Sequence, residues 1–140
     1  MKFKAFAVSA VVAALVASFI APIDPYFLEN LFFLWLPMMA VLLLATVLGA
    51  GPPGVFGVAV GICVYLALFH LWVLSVPSRE SGLAWVFYYF SMPGAFLGAG
   101  ASALWTKARP SAATTTVFLA FLGTSGGLAL NVSILYFSLP

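Results

Sequence analysis

His70 is the only histidine in the chain, and it lies inside a long apolar run, about six residues or roughly 9 Å of helical rise from the run's end. An ionisable group at that depth invites a functional reading, because an imidazole can relay protons or bind a metal ion. Few titrating groups could assist it: Asp24, Glu29 and the adjacent pair Arg79 and Glu80. No second His or Cys stands at metal-ligand spacing on the same segment, so zinc, copper or haem would need ligands from distant segments or a partner chain. No metal and no cofactor is therefore expected. The favoured reading of His70 is a neutral imidazole hydrogen-bonded to a neighbouring helix.

Asn131, preceded by Thr124 and Ser125, adds a second polar spot. Such groups bond across helices, and a pairing of His70 with Asn131 would place a polar cluster in one half of a bundle. Asp24 sits between Pro22 and Pro25, which suits a helix cap or a rigid turn, and Glu29 falls in the first turns of the following segment, where a negative charge complements the helix dipole. Known catalytic patterns are missing: there is no His-Glu-x-x-His, no Gly-x-Ser-x-Gly, no phosphate loop and no pair of intramembrane carboxylates. These residues nominate no catalytic group, and an enzyme is the less favoured class.

The segments that must position these side chains are set by composition. The chain has 140 residues, of which 65% are hydrophobic and 6% charged. A soluble domain of this size exposes much of itself and carries about a quarter charged residues, so this inventory cannot cover a water-facing surface. The net charge is +2 and the basic residues fall in pairs, which excludes nucleic acid as a partner. A helix needs about 20 apolar residues to cross the hydrocarbon core. Five runs of that kind, bounded by Pro, Gly or charge, predict an all-α polytopic bundle in one domain, with spans at 5–23, 27–50, 54–76, 83–106 and 115–138.

Orientation follows from Lys2 and Lys4 before the first run and Lys107 and Arg109 before the last. Four spans separate the two clusters, so both lie on one face, which the positive-inside rule assigns to the cytoplasm. The N-terminus is then inside, Asp24, Glu29, Arg79 and Glu80 are outside, and the end at Pro140 is outside. The first run also has the flanks of a signal peptide, and Val16 and Ser18 would be tolerable at a cleavage site, but no clean Ala-x-Ala is present there. Retention as a span is the expectation; cleavage would leave four spans. The single Cys63 lies within an apolar run and gives no disulfide.

Small residues recur at four-residue spacing: Ser9, Ala13 and Ala17; Gly57 and Gly61; Gly94, Gly98 and Ser102; Gly123 and Gly127. Each set makes a shallow strip where another backbone can approach, first of all within the bundle itself, and the third and fourth spans should occupy its centre. Pro37 and Pro93 lie inside their spans, where kinks are expected. Tyr26, Trp72, Trp85, Tyr88, Tyr89 and Tyr136 map toward the outer face as interfacial anchors, and Trp105 toward the inner. A shift of about 56 residues lays Pro37 on Pro93 and hints at two parallel hairpins.

Short loops, few ionisable groups and many small-residue faces point to a multi-pass protein of a bacterial cytoplasmic membrane that acts through helix–helix contact. Its partners are the lipid bilayer and another membrane protein or a second copy, in an accessory, assembly or protective role. The alternative is a small oligomeric transporter or channel with a polar path near His70 and Asn131.

Overall fold

The computed structural model describes residues 2–76 and 81–138, and every regular element among them is an α-helix. These are α1 (Lys2–Ile20), α2 (Phe27–Val47), α3 (Pro52–Ser75), α4 (Ser81–Ala108) and α5 (Ala113–Ser138). The five expected segments are thus five helices, and the loop at 77–80, with Arg79 and Glu80, lies outside the described residues, as does Pro140. Four helices are long and apolar enough to cross a membrane: α1, α2, α3 and α5. The fourth, α4, is the longest, but Ser91, Pro93 and its glycines dilute its apolar character. It is nevertheless packed among α2, α3 and α5. Large apolar side chains such as Leu36, Leu97 and Phe137 stand exposed all around the bundle. A surface of this kind is compatible with a multi-pass membrane protein, for which lipid covers the exterior.

Helix ends follow local chemistry and account for the shifts from the expected boundaries. The second span stops at Val47 and not at 50, because Gly49 adopts φ +98° and closes the helix. The Gly49 N–H donates to the Thr46 carbonyl and the Ala50 N–H to the Ala45 carbonyl, the pair of bonds that ends a helix on a left-handed glycine. The side chain of Lys107 lies along Gly49, bringing its ammonium to the negative end of the α2 dipole. The Gly51–Gly54 stretch is not wholly a turn: Pro52 already begins α3, since a proline at the first helical position forfeits no hydrogen bond. Arg109, just past α4, has its guanidinium 4.3 Å from the centre of the Trp105 ring.

Helix α3 touches all four other helices, and α4 touches three. Among the described residues α1 reaches only α2 and α3, through a strip of small residues that includes Ala10, Ala13, Ala17 and Ala21, and Trp35 ties it to α2 with an indole bond of 3.0 Å to the Ala10 carbonyl. The two hairpins of the suspected repeat pack unequally. The interface of α4 with α5 is the largest in the molecule and that of α2 with α3 is among the smallest.

The reason lies in the glycines. A β-carbon placed on Gly94 would strike the Gly127 carbonyl and stand 2.6 Å from the Asn131 β-carbon. On Gly98 it would strike the carbonyl of Gly123, and on Gly57 that of Val117. Backbone therefore lies directly on backbone, where dispersion holds the helices together, since apolar burial drives little association once helices are in lipid. Gly61 is less tight, with the Thr124 β-carbon at 3.2 Å from such a carbon.

Candidate functional site

At the end of the bundle away from Lys107 and Arg109, the small residues give way to aromatic rings. Phe69 of α3 is the hub: its ring centre lies 5.8 Å from that of Tyr65, 5.3 Å from Trp72, 5.5 Å from Trp85 and 5.9 Å from Tyr88. Tyr88 is wholly buried and Tyr65 half-buried, so the Tyr88 ring turns into the bundle and not outward. A phenol in the interior needs a partner, and each one here has it. The Tyr65 hydroxyl donates to Ser91 Oγ at 2.6 Å, Ser91 donates to the Tyr88 carbonyl at 2.6 Å, and the Tyr88 hydroxyl donates to the Leu34 carbonyl at 2.8 Å.

One further acceptor has a specific origin. Pro37 has no N–H, so the carbonyl one turn earlier, that of Phe33, loses its helical donor. The Tyr89 hydroxyl donates to that carbonyl at 2.8 Å, and Tyr88 serves the next one, at Leu34. Near Pro93, whose missing N–H frees the Tyr89 carbonyl, Asn131 Nδ2 of α5 donates to the next carbonyl, that of Phe90, at 2.6 Å. Both prolines sit inside continuous helices, and a neighbouring helix restores the bond lost at Pro37.

The residues singled out for chemistry each have their own contacts. His70 stacks on Trp85, ring centres 6.1 Å apart and planes 29° apart, and its buried Nδ1 has no hydrogen-bond partner among the described residues. Asn131 is engaged with α4. Asp24 is exposed and accepts from the Tyr26 N–H at 2.9 Å and from Asn30 Nδ2 at 3.4 Å, a rigid Asp-Pro turn leading into α2. Glu29 is exposed in the first turn of α2. No three His, Cys, Asp or Glu side chains among the described residues stand close enough to hold a metal ion. The buried hydroxyls of Thr46, Ser102 and Thr124 bond to carbonyls of their own helices, as polar groups do when they have no solvent to face.

Between the aromatic ends of α3 and α5 lies a cavity of about 550 Å³. One stripe of α3 forms its first wall, from Tyr65 through Leu68 and Phe69 to Trp72. Val132, Leu135 and Tyr136 of α5 form the second, with Phe87 of α4 behind. A smaller cavity of about 210 Å³ lies by Pro22, Asn30, Phe33, Leu34 and Trp85. Neither the cavity nor the tyrosine–carbonyl bonds are visible in spacing alone, although an intrahelical proline does announce that a freed carbonyl needs a donor. The chain matches no protein-family model, no curated protein and no solved structure.

Proposed function

We propose that this chain is an accessory, assembly or protective subunit of a complex in a bacterial cytoplasmic membrane, with its N-terminus inside and its C-terminus outside, and that it works by helix–helix contact. The observation that carries this reading is the free side of α5. Least buried of the four strongly apolar helices, α5 packs, among the described residues, on α3 and α4 only and turns Gly126, Ala129 and Ser133 outward. A β-carbon on Gly126 would meet nothing within 4 Å, whereas its neighbour Gly127 is pressed against Gly94. A strip of small residues facing outward offers a second backbone the same kind of approach that Gly94 and Gly98 offer α5.

Purification in a mild detergent should yield a stoichiometric membrane partner, and Gly126→Leu should release it while the bundle keeps its unfolding midpoint. A lone monodisperse particle that still restores a deletion phenotype would overturn the reading. Orientation is tested separately, by accessibility of a tag after Pro140 in intact cells. The transporter alternative has less support, because His70 and Asn131 are engaged with different neighbours. Solute or proton flux in vesicles that His70→Ala abolishes would restore it.

A further inference from the structure

We infer that the cavity between α3 and α5 is a binding site for a single hydrocarbon chain of a membrane lipid, whose polar head stays at the Trp72 and Tyr136 rim. The inference is separate from the partner-binding role and rests only on the bundle being embedded in a bilayer.

Three observations lead there. The first is the chemistry of the lining. The one phenol at its inner end, Tyr65, already donates its proton to Ser91, and Leu68, Phe69, Val132 and Leu135 offer only carbon. Nothing along the walls would compensate a polar ligand for lost hydration, so the occupant of the interior must be apolar. The second is position. Trp72 and Tyr136, both exposed, stand about seven residues or roughly 10.5 Å and more beyond Tyr65 along their helices, at the end where indole and phenol meet headgroups. A ligand with an apolar chain and a polar end matches that gradient.

The third is size. The cavity offers about 550 Å³, within the common range of roughly 300–1,000 Å³ for small-ligand sites. The site exists because the glycine contacts of α3 with α5 end at Gly61, and one turn later Tyr65 begins a run of side chains too large to let the backbones stay together.

The test uses the whole protein in vesicles of phosphatidylethanolamine and phosphatidylglycerol that carry a photoreactive diazirine within one acyl chain. After irradiation, the labelled peptides are mapped by mass spectrometry. Labelling should concentrate several-fold on the α3 segment 65–72 and the α5 segment 132–136, relative to the other lipid-facing helices. Leu135→Trp, which fills the cavity, should bring those segments down to the common level, while Leu122→Trp on the open face of α5 should leave the map unchanged. If Leu135→Trp does not fold, Val132→Phe carries the same comparison. Even labelling of all lipid-facing helices in the unaltered protein overturns the site, as does concentrated labelling that persists in a folded cavity-filled variant. No labelling anywhere would instead sink the membrane assignment along with it.

Discussion

The two ends of the α3–α5 pair are held in opposite ways. Toward Lys107 and Arg109 the helices touch through Gly57 and Gly61, with the Val117 carbonyl and the Ala120 and Thr124 side chains against them. Toward the other end, Tyr65, Phe69 and Trp72 face Val132, Leu135 and Tyr136 across an open volume. The same two helices thus combine a contact with no room for a methyl group and a gap with room for a ligand. Small residues allow many weak dispersion contacts but no chemistry, and large ones bring rings and hydroxyls but cannot fill the space evenly.

The largest expected effect tests the tight end. Gly98→Ala should lower the unfolding free energy by about 3 kcal/mol, the upper part of the usual range for overpacking, because its new methyl group meets the Gly123 backbone and not a side chain that can turn away. Gly61→Ala should cost clearly less, since its nearest neighbour, the Thr124 β-carbon, stands 3.2 Å away and need give by only a few tenths of an ångström. Reversible unfolding in mixed micelles measures both, and equal effects would break the distinction between backbone pressed on backbone and ordinary close packing.

A smaller effect is expected at the aromatic end. Tyr89→Phe leaves the Phe33 carbonyl without its donor and Asn131→Leu removes the α5 bond to the Phe90 carbonyl, each at a cost of about 0.6–1.7 kcal/mol. Tyr88→Phe belongs at the top of that range, because its hydroxyl is buried where no water can replace it. If all three are silent, the bonds to Phe33, Leu34 and Phe90 are incidental.

His70→Phe keeps a ring against Trp85 and removes a buried nitrogen that lacks a partner among the described residues, so stability should hold or rise by up to about 1 kcal/mol. Loss of stability would mean that His70 has a structural bond. Smallest of all, Gly126→Ala should change stability by less than about 0.5 kcal/mol, which calibrates the series against a glycine with free space around it.

Much of the architecture is legible in the sequence. The five segments are announced by hydropathy and length, because the bilayer imposes both. The spacing of Gly94 with Gly98 and of Gly123 with Gly127 marks strips able to pack closely. It does not say that these strips face each other, since which helix meets which is decided by the whole bundle. Helix ends depart from their expected positions where one residue's backbone decides: Gly49 stops α2 early, and Pro52 starts α3 within what reads as a turn. Tyr88 reads as an interfacial anchor because its type favours interfaces, and only the rings of Tyr65 and Phe69 and the Leu34 carbonyl around it show why it turns inward. The cavity is the least legible feature, being a property of the space between α3 and α5 and of no single residue.

The dependence of α5 on α3 and α4 has a consequence for how the chain is made. Gly57, Gly61, Gly94 and Gly98 all receive their close neighbours from α5, the last of these five helices to leave the ribosome. Until it arrives, a nascent chain carries empty notches on two helices, and these are available to any passing transmembrane segment. Synthesis halted before residue 113 should therefore yield a product prone to degradation or to promiscuous association, so that the arrival of α5 acts as the checkpoint for the five-helix bundle.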